Sequence, residues 1–170
     1  MLKIIISGPE SSGKTTLCNQ LHNHFKTPLI EEYSRKYINN INRKYTKEDL
    51  LQIAKNQYTL EYKENNSLVF CDTDLITIKI WSKYKYGYCH KWILKKIKEQ
   101  QNENRFYILC YPDIKWEFDI QRENKENREE IFLLYKKELE EQEHNYMIIK
   151  GNKRKEEAIK KITSLTENIQ

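Results

Sequence analysis

Residues 7–17 read SGPESSGKTTL and follow directly on the apolar run LKIII at 2–6. From Gly8 to Thr15 the chain satisfies the pattern G-x-x-x-x-G-K-[ST] in full, with a strand-like segment before it and the helical pattern TTLCNQLHNHF after it. Each residue type there has a separate physical job. The two glycines free the backbone so that its N–H groups can close around phosphate oxygens, and the helix N-terminus adds positive potential. Lys14 supplies a mobile charge, and the Thr15 hydroxyl is a ligand for Mg²⁺. Residues expected at a nucleotide are therefore Gly8, Glu10, Ser11, Ser12, Gly13, Lys14, Thr15 and Thr16. This stretch names a phosphate donor and leaves the receiver open: water, a small molecule, a nucleic acid and a partner protein all fit it.

Outward from the loop, short apolar runs alternate with longer helical patterns. Strands are expected at 2–7, 28–31, 67–71, 106–111 and in YMIIK, with helices between them. Thr46 followed by Asp49 marks the start of a helix that carries Leu50, Ile53, Ala54, Tyr58 and Tyr62 at helical spacing. Strands separated throughout by helices make an α/β domain, with a five-stranded parallel sheet and helices on both faces. With the loop, this is the P-loop NTPase fold, expected as one domain over 1–170. Ligands in such folds bind beyond the carboxyl ends of the strands.

Composition removes several classes of function. The net charge is +5 over 170 residues, but Lys alternates with Glu in segments such as KKELEEQE, which is the pattern of solvated helix faces rather than of a nucleic-acid footprint. Cys18, Cys71, Cys89 and Cys110 show no C-x-x-C spacing, so buried reduced thiols are expected, without disulfides or structural zinc. Mean hydropathy is −0.89. No run approaches the length of a membrane span, and the N-terminal apolar run is too short for a signal peptide. The expected setting is cytoplasmic, with no membrane or nucleic-acid partner.

Candidate chemistry gathers at the strand ends. Asp72 and Asp74 stand at the carboxyl edge of the third strand, where a carboxylate can hold Mg²⁺ through its water shell or take a proton from an attacking hydroxyl. Asp72 could instead cap the following helix. Glu31 and Glu32 end the second strand on the same edge, placed toward an acceptor. After the fourth strand, Arg122 and Arg128 lie in a polar segment, about 113–128, that reads as a lid whose arginines neutralise the transferring group. Aromatic residues crowd this region: Tyr33, Tyr58, Trp81, Tyr84, Tyr86, Tyr88, Trp92 and Trp116. One or two of them can stack on a planar acceptor, and the rest belong to the core.

Taken in order, GPESSGKTTL, EEYSRKYI, FCDTDLITIKIWSKYKYG, LCYPDIKWEFDIQRENKENR and IIKGNKRKEEAIKKI cover nearly the whole chain. In this series the chain resembles the nicotinamide riboside kinase domain of bacterial NAD-biosynthesis regulators and related stand-alone proteins labelled AAA-type ATPases. The resemblance implies ATP-dependent phosphorylation of the ribose 5′-hydroxyl of nicotinamide riboside, with Mg²⁺. It implies Gly13, Lys14 and Thr15 on the triphosphate and metal, and Asp72 or Glu32 serving the acceptor hydroxyl and the metal. Arg35, Asp74 and Asp119 would orient the ribose or the lid, Arg122 and Arg128 would be the lid arginines, and Gly151, Asn152 and Arg154 would border the adenine. Two departures stand out: the lid reads Asp119-Ile120-Gln121-Arg122 where family members carry D-G-x-R, and Glu31 replaces an aromatic that can face the pyridine ring. The stacking partner must then come from elsewhere, with Tyr58 and Trp81 as candidates. The DNA-binding and adenylyltransferase modules of the regulators have no counterpart in this chain. A kinase for another nucleoside or small metabolite, and a nucleotide-dependent switch, remain the alternative readings.

Overall fold

The computed structural model describes residues 1–167; the domain expected over 1–170 extends three residues past that range. Five parallel strands, β1 (Leu2–Ser7), β2 (Leu29–Ile30), β3 (Leu68–Asp72), β4 (Arg105–Cys110) and β5 (Asn145–Ile149), lie in the order β2-β3-β1-β4-β5. The helices are α1 (Lys14–Phe25), α2 (Tyr33–Asn40), α3 (Lys47–Lys63), α4 (Leu75–Tyr86), α5 (Lys91–Gln100), α6 (Arg128–Glu141) and α7 (Arg154–Glu167). None of them, among the described residues, is long and apolar enough to cross a membrane.

Every residue of β1 is buried, as a central parallel strand covered on both faces requires. Alternation along it assigns two cores. Ile4 and Ile6 pack with Leu17, Cys18, Leu21, Ala158 and Ile162 of α1 and α7, whereas Ile5 faces Leu50, Ile53, Leu75 and Ile76 in the opposite layer. Each buried leucine or isoleucine there contributes about 1.5–3 kcal/mol by leaving water. In register, Ile6 lies opposite both Asp72 on β3 and Ile108 on β4, so the strand ends that carry the loop and Asp72 are level. All four cysteines are unpaired and buried.

Two local features differ from the sequence reading. The second strand is only two residues long, pairing Leu29 with Phe70 and Ile30 with Cys71. Beyond it, EEYSRKYI turns into α2, a polar helix that the sequence pattern does not mark. Its N-cap, Glu32, makes no side-chain cap of its own; Gln57 on α3 reaches across and accepts the Tyr33 N–H at 2.9 Å. The helix signal at Thr46 is a capping box: the Asp49 carboxylate accepts the Thr46 N–H at 2.7 Å.

Under the helical layer runs a buried ionic chain that anchors α4. Asp74 accepts the Ile76 N–H at 3.0 Å, the Tyr107 hydroxyl at 2.6 Å and an Arg105 N–H at 3.5 Å. Arg105 also donates to Glu61 at 2.5 Å, and the Arg105, Glu61 and Asp74 side chains are all 0% exposed. A buried pair loses more when one partner is removed than its own net worth, because the survivor keeps its desolvation cost. Arg105→Ala is therefore expected to destabilise the fold by about 3–5 kcal/mol in urea denaturation. A loss below about 1 kcal/mol would show that water or Lys3 already compensates Glu61.

Candidate functional site

Backbone conformation shapes the loop between β1 and α1. Gly8 has φ 136°, and a Cβ there would stand 2.6 Å from the Cys110 carbonyl oxygen; Gly13 has φ 83° and Ser11 φ 52°. The Ser12 hydroxyl and the Lys14 ammonium both donate to the Pro9 carbonyl at 2.8 Å. Arginines hold the loop from outside. Arg154 donates to the Ser12 carbonyl at 2.6 Å, the Tyr111 carbonyl at 2.8 Å and the Gly151 carbonyl at 3.1 Å, and it pairs with Asp113. Arg128 donates to the Ser11 carbonyl at 3.1 Å and the Ile114 carbonyl at 3.0 Å.

Beside the loop, β3 ends in a strained turn. Thr73 takes φ 70°, a left-handed conformation that costs a β-branched residue about 1–3 kcal/mol, and its N–H donates to the Ile6 carbonyl at 3.0 Å. This turn sends its two neighbours in opposite directions. Asp72 faces the loop, accepting the Thr15 hydroxyl at 2.7 Å, while Asp74 points into the helical layer and caps α4. The capping role weighed for Asp72 thus falls to Asp74. Burial, and after it the charge of Glu32, push the Asp72 carboxyl above its ordinary pKa. Its Oδ1 is buried and has no hydrogen-bond partner. A hydroxyl and a carboxylate with an unused oxygen form a donor set that suits Mg²⁺.

One cleft joins this centre to the helices. Gly8–Thr16 line one end; Glu32, Ser34, Arg35 and Ile38 of the α2 segment, Thr77, Ile80, Trp81 and Tyr84 of α4, and Ile131 and Tyr135 of α6 line the other. Ile114, Glu117, Gln121, Arg122 and Asn124 roof it. Its space is about 220 Å³, below the roughly 300–1,000 Å³ of sites that take drug-sized ligands. A triphosphate together with a second ligand would need the roof to lift. At the helical end, Arg35 is engaged with Asp119 at 2.9 Å and lies 3.9 Å from Glu32, while Arg122 donates to the Glu117 carbonyl at 2.5 Å.

Several residues expected at the acceptor lie elsewhere. Tyr58 stacks on Tyr62 at 4.2 Å and meets Trp92 edge-on at 5.6 Å, because α3 turns Ile53, Ala54 and Gln57 to the core and Tyr58 toward α5. Tyr33 packs beside Tyr37, with ring centroids 6.3 Å apart, off the cleft. Asp74 is enclosed with Arg105 and Tyr107 and cannot orient a ribose. Trp116 sits between Arg122 and Arg128, its ring 5.9 and 5.7 Å from their guanidinium carbons, and Asp119 reaches the site only through Arg35. Gly151 and Asn152 are exposed outside the cleft, the Gly151 N–H donating to Asp113 at 2.6 Å. Arg154 divides its donors among the Ser12, Tyr111 and Gly151 carbonyls and Asp113, which ties the segment after β5 to the loop.

Thr77, Ile80, Tyr84, Ile131 and Tyr135 complete the wall; the sequence reading named only Tyr84 among the aromatics near the cleft and passed over the other four. Their signal was present as spacing: 77, 80, 81 and 84 form one stripe of α4, and 131 and 135 one turn of α6. Burial raises the Tyr135 phenol far above its ordinary pKa, so it meets a ligand as a neutral hydroxyl.

A parallel sheet with β1 between β3 and β4, a glycine-hinged loop at the end of β1 and a carboxylate at the end of β3 define a P-loop NTPase fold. The chain belongs to the AAA domain family, whose sequence profile matches residues 3–156. It is 31% identical over 123 residues to the trifunctional NAD biosynthesis/regulator protein NadR of Salmonella typhimurium, spanning 68% of this chain and 30% of that relative. The match therefore spans under a third of the curated relative's length. Among solved structures, NadR in complex with NAD and AMP-PNP superposes with a TM-score of 0.70 at 22% identity, over 96% of this chain and 49% of that one. NadR in complex with NR gives 0.63 at 22% identity, over 88% and 44%. Deoxyadenosine kinase from M. mycoides gives 0.67 at 14% identity, over 96% and 100%.

The close approach at Gly8 yields a stability test. Gly87 also has positive φ, at 64°, but a Cβ there meets nothing within 4 Å. Gly87→Ala should cost about 1 kcal/mol from conformation alone, whereas Gly8→Ala adds a backbone clash and should cost at least about 2 kcal/mol more. Equal losses in chemical denaturation would show that the loop relaxes away from Cys110.

Proposed function

We propose that this chain, as one domain acting in the cytoplasm, transfers the γ-phosphate of ATP to the ribose 5′-hydroxyl of nicotinamide riboside and so forms nicotinamide mononucleotide. The observation that carries this reading is a single cleft with two unlike ends. Backbone N–H groups and Lys14 face one end, and the Trp81, Tyr84 and Tyr135 rings with the Glu32 carboxylate face the other. Phosphate oxygens suit the first end. An uncharged sugar carrying a flat ring suits the second, and a cationic pyridinium would gain about 0.5–2 kcal/mol from an aromatic face beside a carboxylate. An acceptor that already carried phosphate would ask for a free cation there; Arg35 is held by Asp119, and Arg122 is turned to the Glu117 carbonyl. The NadR complexes with NR and with AMP-PNP support this pair of substrates.

In this reading Gly8–Thr16 cradle the triphosphate. Thr15 and Asp72 would hold Mg²⁺, which supplies charge neutralisation at the phosphates. Glu32, at the cleft face of α2, accepts the proton of the 5′-hydroxyl as that oxygen bonds to the γ-phosphorus, and the bond from phosphorus to the bridging oxygen breaks with its electron pair leaving on ADP. Lys14 and Arg122 offset the charge that spreads over the transferring group. Arg35 and Asp119 position the roof, and Arg128 and Arg154 fix the loop backbone. Trp81 takes the stacking role for which Glu31 leaves no aromatic.

ADP formation is expected to require nicotinamide riboside, and equal ATP turnover with and without it would refute the reading. Lys14→Ala should lower transfer by roughly 10²-fold or more. Glu32→Gln should reduce kcat by about 10²-fold with the KM for ATP unchanged, whereas Asp72→Asn should weaken nucleotide and Mg²⁺ use; the reverse pattern would exchange their roles. The full-length superposition on deoxyadenosine kinase supports a second reading, a kinase for another nucleoside. A nucleoside panel with labelled ATP separates the two.

A further inference from the structure

One point of the roof, at Glu123 and Asn124, is held from both ends of the cleft. From the loop, Glu10 Oε2 accepts the backbone N–H groups of Glu123 and Asn124 at 3.0 and 2.9 Å. From the helical wall, Lys85 reaches both oxygens of the Glu123 carboxylate at 2.9 Å, and the Tyr45 hydroxyl donates to it at 3.0 Å. Tyr45 also accepts the Trp81 indole N–H at 3.0 Å, with the two rings edge-on at 4.9 Å. An unbroken set of contacts thus runs from the phosphate loop through the roof to the indole that walls the acceptor end.

The residue types follow from what each contact must do. A carboxylate beside a phosphate loop is best turned away from it, and two consecutive backbone N–H groups of the roof receive Glu10 as they would an anion. The Glu123–Lys85 contact is partly open, with side chains 45% and 32% exposed, so it holds only weakly. Weakness suits a roof that opens in every cycle: each grip shifts the closed population by a few-fold to about tenfold.

We propose that Glu10 and Glu123 are positioning residues that couple the two ends of the cleft: their shared hold on the roof sets Trp81 for the acceptor only when the phosphate loop is covered. This rests on the proposed transfer reaction. Neither residue handles the reacting atoms; both act through the roof and through Trp81.

Hydrogen exchange of the purified chain without ligands tests the contact directly. Glu10→Ala should speed exchange of the Glu123 and Asn124 amides by about tenfold, and Glu10→Gln, which keeps an acceptor oxygen, should restore part of the protection. Unchanged exchange in Glu10→Ala overturns the proposal. Kinetically, Lys85→Met should raise the KM for the nucleoside several-fold and increase acceptor-independent ATP hydrolysis relative to transfer, with the KM for ATP within about twofold. An unmoved nucleoside KM overturns the coupling. The exchange measurement needs no phosphate acceptor, so it decides the roof contact even if the wild-type chain phosphorylates no nucleoside.

Discussion

Much of the site depends on a single reversal of the chain at Thr73. A β-branched residue in left-handed conformation is costly, and here the N–H bond to Ile6 and the two aspartates around it hold it in place. If Thr73 continued in extended conformation, alternation would put Asp72 and Asp74 on one face of the strand, competing for one environment. With the reversal, Asp72 meets Thr15 at the phosphate loop and Asp74 starts α4 among Arg105 and Tyr107. The direction of α4 then decides which of its residues can wall the cleft. Catalytic charge and helix placement are two outcomes of the same local strain.

The phosphate loop was legible in the sequence because its requirements are local. Gly8 and Gly13 are needed for backbone angles and close approach, Lys14 and Thr15 for chemistry, and all fall within eight residues. The centre of the sheet was legible because β1, β3 and β4 are buried on both faces and read as nearly continuous apolar runs. What escaped depends on partners distant in sequence. Nothing near Arg154 announces that its donors go to Ser12, 142 positions earlier. Nothing near Tyr33 announces that Gln57 starts its helix. Asp74 looked as available as Asp72, because a positive φ at a threonine has no residue-type signature, unlike one at glycine. Tyr58 was misplaced for a related reason: helical spacing shows which residues share a face, but not which neighbour that face meets.

Polar contacts divide into two energetic kinds. The Glu61–Arg105–Asp74 chain is sealed, so each member is needed to offset the desolvation of the others, and it acts as a fixed support beneath α4. The contacts over the cleft, Arg35 with Asp119 and Lys85 with Glu123, are partly solvated and individually weak. The division separates a fixed support from a cover that can yield. Rigid pairing lies under the wall, and yielding pairing lies over the mouth.

The unlike composition of the two cleft ends also bears on how such a domain can diverge. The phosphate end is built largely of main-chain N–H groups, which every residue type except proline carries, so substitutions there are limited by conformation rather than by recognition. The opposite end is built of side chains on two amphipathic helices, at Thr77, Trp81, Tyr84 and Tyr135, whose replacement changes shape and polarity without disturbing the loop. Drift in a lineage would therefore retune what the helical end admits long before it altered what the loop end holds. Ancestry would persist in the loop, and novelty would accumulate along α4 and α6.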